Sequence, residues 1–281
     1  MSAYELAFSS LGCPGYTVEQ IAEAARAYGY AAVSLRTVRN EPMLTSLPEF
    51  SAEGLPATRA CFDAAGVCVL CVASGVRFTD LTADERAAQA RVAEDYIRIA
   101  AGLGAPYVRI FGGPLPASVP RGTVMEWIVE GFRNACDVAA RAGVSVLFET
   151  HDDFSRGADA AALVRAVARG NLFIVWDVLH SIRYGESLQD TWRHAGHLVR
   201  HVHLKDATAW DQTSFSLALL GRGKIPLRAA VDLLRGAGYA GVWEFEWEKG
   251  WHQELPGPEI ALPHGAGYLG CLLGEPPAPR G

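Results

Sequence analysis

No stretch of this chain approaches the roughly 20 consecutive apolar residues that a membrane span requires, although 50% of its 281 residues are hydrophobic. The opening segment, MSAYELAFSS, has no basic region ahead of an apolar core. A secretory leader is therefore not expected, and a soluble cytoplasmic protein is. Basic residues form no blocks either. Lysine and arginine are interspersed with acidic residues at a formal net charge of −6, which gives no electrostatic footprint for nucleic acid or for an anionic membrane. No G-x-G-x-x-G follows the first apolar run and no P-loop occurs, which argues against a doubly wound nucleotide-binding sheet. Cysteine is sparse. Of the six thiols only Cys68 and Cys71 form a C-x-x-C, inside VCVLCV, where positions three apart face opposite sides of a strand. No second pair or nearby histidine completes a redox or zinc site, so plain buried thiols are expected.

What the chain does have is regular alternation. Residues 6–11 form a first apolar run, and Thr17-x-x-Gln20 has the pattern of a capping box opening a helix that stops at Gly29. A second strand, 31–35, ends at Arg36. A helix at 57–65 stops at Gly66, and 67–72 is the third strand. Thr82-x-x-Glu85 caps a long helix to Leu103, and 107–111 is the fourth strand, with Arg109 inside it. Thr123-x-x-Glu126 is expected to cap the next helix, which runs to Ala142. The fifth strand, 144–148, runs into Glu149-Thr150-His151, and a helix at 159–168 follows. The sixth lies in NLFIVWDVLH (171–180), an apolar, β-branched run that ends abruptly in Asp177. A short helix (187–193), a seventh strand (199–204), a helix (226–237) and an eighth strand (242–245) complete the series. Beyond it, WEKGWHQELPGPEIALPH holds too much proline and glycine for a long regular helix. A short last helix at 266–273 and a frayed tail over 274–281 are expected.

Parallel neighbours need crossover connections. Eight strands separated by helices at this length predict a single-domain (β/α)8 TIM barrel over 1–273, with an irregular C-terminal segment after strand eight.

In such a barrel chemistry gathers at the carboxyl ends of the strands. Strand five ends at Glu149, strand six at Asp177, strand seven carries His203 and strand eight carries Glu246. Each residue alone has a plainer reading, as a helix cap, a loop ion pair or a hydrogen-bonded core residue. Glu244 and Glu248 flank Glu246 at strand spacing, so the register there is open by two residues. Three carboxylates converging without a cation repel strongly. A divalent ion resolves that repulsion, leaving a net charge of about −1 on the ligand set. An oxygen-rich set with one imidazole and no thiolate points to Mn2+ first, with Mg2+, Co2+ or Zn2+ as alternatives, one ion per chain.

At these residues the chain resembles the xylose isomerase-like barrel superfamily, which includes sugar isomerases, ketose 3-epimerases, hydroxypyruvate isomerase, inosose dehydratases and endonuclease IV. The resemblance rests on E-T-H (149–151), W-D-x-x-H (176–180), H-x-K-D (203–206), the F-E-W-E strand (245–248) and the opening LGCPGYTVEQIAEAARAYGYAAVSLR. It covers nearly the whole chain. It implies metal positions at Glu149, Asp177, His203 and Glu246, a substrate-contacting His180, and proton transfer by Glu149 and Glu246.

The expected activity is that of a metal-dependent sugar isomerase or epimerase, moving a proton next to a carbonyl through an enediolate. The substrate is expected to be a small sugar or cyclitol. Arg109 and Lys205 are further candidates to bind it. Lys205 is read as facing away from His203 unless the strand ends there, and Arg36 is read as structural. Trp247 or Trp251, in the tail folding over the mouth, is expected to line the pocket. A dehydratase acting on an inosose or keto-sugar is the main alternative, with His180 as the acid. A non-catalytic binding barrel is a third. A nuclease resembling endonuclease IV is a fourth, disfavoured by the acidic surface and by Arg36 and Ala73-Ser74 at the ends of strands two and three. No nucleic acid or membrane partner is expected, and a homo-oligomer is left open.

Overall fold

The structure, a computed structural model, describes residues 5–274. Most of the expected tail therefore lies outside the described residues. Among them, eight parallel strands close into a barrel: β1 (Glu5–Ser9), β2 (Ala32–Leu35), β3 (Cys68–Ala73), β4 (Tyr107–Phe111), β5 (Ser145–Glu149), β6 (Leu172–Asp177), β7 (Val199–Leu204) and, after a hairpin, β10 (Val242–Phe245). The barrel closes where β1 pairs with β10, Glu5 opposite Val242 through Phe8 opposite Phe245. The hairpin, β8 (Asp206–Trp210) and β9 (Phe215–Ala218), stands apart as a two-stranded antiparallel sheet. The chain thus folds as the (β/α)8 barrel its alternation predicts. No helix among the described residues is long and apolar enough to cross a membrane.

Local chemistry sets the helix ends. Thr17 caps α1 (Val18–Tyr28), and Thr82 caps α3 (Ala83–Leu103), each by accepting from the N–H three residues on while the Gln20 or Glu85 side chain reaches back. α1 stops because Gly29 turns left-handed, at φ 79°. α2 (Leu55–Ala65) precedes β3. α4 (Arg121–Arg141) differs from expectation: Pro120 leads into it without a side-chain cap, so Thr123 falls inside the first turn. Pro120 presents a fixed φ of −54° at the N-cap position, so the helix begins before Thr123 and no Thr–Glu box forms. α5 (Gly157–Val167), α6 (Val178–Arg183), α7 (Leu188–Ala195) and α8 (Leu227–Gly236) follow in turn.

The last helix, α9 (Pro258–Leu273), is the main correction after the eighth barrel strand, being twice as long as the expected segment 266–273. Its proline and glycine content does not break it. Pro258 occupies the first turn, where a missing N–H costs nothing. Gly265 is where the helix presses on the barrel: a Cβ there would stand 2.5 Å from the Phe245 ring. Pro263 lies inside the helix and removes one backbone bond, a loss set against burial of Leu262 and Leu269.

Most of the apolar core lies between barrel and helices, with Phe8, Phe132, Phe148, Trp176 and Trp243 buried there. The barrel interior is filled separately. Ala7, Ala32, Leu70 and Val242 form its floor, and Cys71, Leu147 and Val175 form a layer of their own. Cys71 is buried as expected, whereas Cys68 is exposed, consistent with opposite faces for positions three apart.

Candidate metal centre

Alternation along the strands carries the interior from apolar to charged. On β5 the series is Ser145, Leu147, Glu149, and on β6 it is Phe173, Val175, Asp177. On β7 and just past it come His201, His203 and Lys205. On β10 and beyond come Val242, Glu244, Glu246 and Glu248. A period of two puts each series on one side of its strand. Lys205 therefore shares the side of His203, and the expectation that it faces away is corrected: residues two apart point the same way.

At the top of these series Glu149, Asp177, His203 and Glu246 converge, with one potential ligand atom from each all lying within 4.8 Å of one another. His203 Nδ1 stands 3.4 Å from Glu149 Oε1, 3.4 Å from Glu246 Oε1 and 4.0 Å from Asp177 Oδ2. All four side chains are buried. Glu149 Oε2, Asp177 Oδ2 and His203 Nδ1 are shut off from solvent and make no hydrogen bond, the two oxygens meeting the guanidinium of Arg109 and the ammonium of Lys205 as ion pairs. Buried polar atoms left in this way are costly unless a further partner engages them. The unbonded His203 Nδ1, the mutual distances of the four ligand atoms and the hard-oxygen-plus-imidazole donor set fit a divalent cation.

The surrounding charges fit it too. Arg109 Nε lies 3.1 Å from Glu149 Oε2. Lys205 Nζ lies 2.8 Å from Asp177 Oδ2 and 2.7 Å from Glu246 Oε2, and it also donates to Glu248. Four carboxylates against two cations leave two negative charges, the amount a divalent ion neutralises. Burial disfavours the charged form of Glu149, but Arg109 and His203 outweigh it and hold its pKa below the usual carboxylate range. Burial likewise opposes ionisation of Glu246, and His203 and Lys205 overcome it by a wide margin. Asp177 goes the other way: burial pushes it up, to about 6, against the pull of Lys205. For His203, burial opposes the charge while Glu246, Glu149 and Glu244 raise its pKa well above the imidazole range.

Backbone and buried hydrogen bonds hold these groups. Asp177 N–H donates to Thr150 Oγ1 at 2.8 Å, which ties the strand-five E-T-H segment to β6. Asp177 Oδ1 caps α6 by accepting from His180 N–H at 3.0 Å, leaving Oδ2 for the cluster. Below, His203 Nε2 faces Glu244 Oε1 at 3.4 Å. Glu244 in turn takes His201 Nε2 at 2.9 Å and the Ser34 hydroxyl. His201, Glu244 and Ser34 are the part of the centre that the sequence reading missed, apart from Glu244 as a register alternative.

The mouth is walled by residues of mixed origin. His180 is buried, its Nε2 3.4 Å from Lys205 Nζ. Burial and the charges of Lys205 and His151 hold it well below the ordinary pKa, as a neutral ring. The His151 ring packs on it at 4.4 Å. Phe215, from the unanticipated hairpin, faces Lys205 Nζ at 5.7 Å and the His180 ring at 5.9 Å. The hairpin had a legible signal in the alternating DATAW and the Asp211 turn, whose carboxylate accepts from Thr213 and Ser214 N–H. Asp206, the last residue of H-x-K-D, is an anchor. It accepts from the N–H groups of Ala207, Gly221, Gly223 and Ile225. Gly223 is required there, because a Cβ would stand 2.2 Å from Asp206 Oδ1.

The two tail tryptophans separate. Trp251 is 50% exposed, with the Arg36 guanidinium 5.1 Å from its ring. Trp247 is placed away from the mouth, buried and stacked on Phe245 at 6.0 Å, with its Nε1 donating to Pro256 O at 3.0 Å. Glu246 faces inward, so its neighbour faces the helices.

Fold and site together define a (β/α)8 barrel with a buried carboxylate–histidine cluster at its mouth. The chain belongs to the xylose isomerase-like TIM barrel family, whose sequence profile matches residues 22–267. No curated protein sequence matches it. Similar solved structures include an IolI protein with a bound zinc atom, at 17% identity and a TM-score of 0.82, covering 96% of this chain and 98% of that one. A D-psicose 3-epimerase with D-tagatose from Clostridium cellulolyticum H10 is 16% identical at a TM-score of 0.77, covering 95% and 98%. The probable 3-DHS dehydratase AsbF from Bacillus anthracis is 15% identical at a TM-score of 0.76, covering 94% and 98%.

Proposed function

We propose that the protein is a divalent-metal-dependent enzyme that isomerises or epimerises a small ketose-like sugar or cyclitol, with Glu149, Asp177, His203 and Glu246 as metal ligands. The observation that carries this reading is the convergence of their four ligand atoms within 4.8 Å in a buried site. Mn2+ is the cation we assign, with Mg2+, Co2+ and Zn2+ as the alternatives to test. A bound divalent ion supplies Lewis-acid stabilisation of negative charge on the substrate's carbonyl and hydroxyl oxygens.

The chain's own residues supply the rest. Glu149 and Glu246 flank His203 from β5 and from the end of β10, which are not neighbouring strands. Arg109 keeps Glu149 ionised, and Lys205 with His203 does so for Glu246. One carboxylate takes the proton from the carbon beside the carbonyl, and the C–H electron pair passes into an enediolate. Return of a proton to the neighbouring carbon, with the hydroxyl proton passing to the former carbonyl oxygen, completes isomerisation. Return by the other carboxylate from the opposite face inverts the original carbon. His180, a neutral ring, donates a hydrogen bond to a substrate oxygen or accepts one, and Lys205 orients it. Trp251 offers an apolar face to the sugar.

A dehydratase is the second reading, and one contact favours it. Lys205 Nζ, a charged ammonium, stands 3.4 Å from Nε2 of the neutral His180 ring and is the group there that carries a proton for a departing hydroxyl. The two readings part in a single experiment: metal-loaded protein is incubated in deuterated water with a panel of ketoses and inososes. Deuterium gained at the carbon beside the carbonyl without loss of mass as water supports isomerase or epimerase action. Products lighter by one water overturn it in favour of the lyase. No exchange with any ketose removes the proton-transfer reading.

A further inference from the structure

Arg36 is the last inward position of the β2 series that begins with Ala32 and Ser34, and it sits just past the strand's end. Its backbone is fixed from below, the N–H donating to the buried Ser10 hydroxyl at 2.8 Å. Its guanidinium lies over the Trp251 ring at 5.1 Å and donates through Nη1 to Pro42 O at 3.1 Å. On its other side is Gly75, where even a methyl group would touch Nη2 at 3.7 Å.

What Arg36 does not have is a counter-ion. Among the described residues no carboxylate comes within 4.0 Å of its guanidinium. The neighbouring Arg39 is paired with Glu49 at 2.7 Å. Arg183, across the mouth, donates to the carbonyls of Asp211 and Gln212. Arg109 and Lys205 are committed to carboxylates of the cluster. With a divalent ion present those charges cancel, which leaves at the mouth Arg183, held by two carbonyls, and Arg36, the one that a barrel strand carries inward.

We propose that Arg36, supported by the Trp251 face, receives an anionic substituent of the substrate, a carboxylate or a phosphate ester, so that the natural ligand is an acidic keto-sugar. This rests on the reading of the barrel mouth as a ketose site. A guanidinium fork matches either group through two parallel hydrogen bonds. Burial and the repulsion of Arg109 bring the Arg36 pKa down to about 10, the signature of a cation held where an anion would stabilise it.

The test compares three ligands that differ only at one end: D-fructose, D-fructuronate and D-fructose 6-phosphate. Binding to Mn2+-loaded protein is measured by calorimetry, so that it does not depend on turnover. At least one anion is expected to bind on the order of tenfold or more tighter than D-fructose, and which of them does so identifies the group. Arg36→Met should abolish that preference. Arg36→Lys, which keeps the charge but not the fork, should retain part of it and show that the site is still folded. Equal affinities, a preference that survives Arg36→Met, or no measurable binding of either anion overturns the proposal. If the preference stands but no ligand exchanges its C–H with deuterated water, the isomerase reading fails and the anion site remains.

Discussion

The two nitrogens of His203 face different carboxylates. Nδ1 points at Glu149 and Glu246 in the cluster, and Nε2 lies 3.4 Å from Oε1 of Glu244, one layer lower. A histidine whose second nitrogen donates to a carboxylate is fixed in tautomer and ring angle, and its free nitrogen becomes a better ligand. Glu244 is itself oriented by Ser34 and His201. Replacing Glu244 by Gln keeps the shape and removes the charge. Affinity for Mn2+ should fall about tenfold to hundredfold, read by competition with a chelator. An unchanged affinity would show that the lower layer plays no part in holding His203.

Arg109 tests how the cluster balances its charge. Arg109→Met leaves Glu149 buried without its cation, a change that typically costs about 3–5 kcal/mol. Urea unfolding of the metal-free protein should report a loss of that order. Saturating Mn2+ should recover much of it, because a bound ion supplies the missing positive charge. A loss of equal size with and without the ion would mean that Arg109 acts through packing on Phe111, whose ring lies 3.7 Å from its guanidinium.

Cation uptake should release protons. The neighbouring carboxylates raise the pKa of His203, so its ring is protonated at neutral pH until an ion displaces the proton. A folded-state pKa above the unfolded value means that the charged ring stabilises the cation-free fold at low pH, and this contribution fades as pH rises through the raised value. The ion needs the neutral ring, so its affinity should climb with pH over the same range. Calorimetry in buffers of different ionisation enthalpy should find about one proton released per ion at pH 7. Zero release would remove His203 from the ligand set.

The tail tryptophans should behave oppositely. Trp247→Ala opens a cavity beside Phe245 and should destabilise by roughly 3–5 kcal/mol, seen as a lowered thermal midpoint. Trp251→Ala removes a half-exposed ring, with little effect on stability, and should raise KM for the accepted sugar. If KM holds while stability drops, Trp251 is a packing residue after all.

Much of the barrel was legible because its strands are short apolar runs cut off by glycine or by charge, and because Thr17 and Thr82 begin their helices with complete capping boxes. The cluster was legible for a related reason: Glu149 and Asp177 interrupt apolar strands at the end where a barrel opens. Three features were hidden. Lys205 and Trp247 lie just past strand ends, where the period of two still holds and puts Lys205 on the side of His203 and Trp247 on the side of the helices. The hairpin from Asp206 to Ala218 reads as loop because its turn residues, Asp211 to Ser214, outweigh a short alternation. α9 is hidden because proline and glycine content alone reads as a helix breaker, whereas by position Pro258 opens the helix and Gly265 lets it lie against Phe245.

The apolar floor of Ala7, Ala32, Leu70 and Val242 also governs traffic. With that end plugged, a cation and a substrate of the proposed kind would share one doorway. Glu149, Asp177, His203 and Glu246 are buried in it, whereas Arg36 and Trp251 are partly exposed. On the proposed function loading would be ordered, cation before substrate, and a tightly bound substrate should slow the escape of the ion.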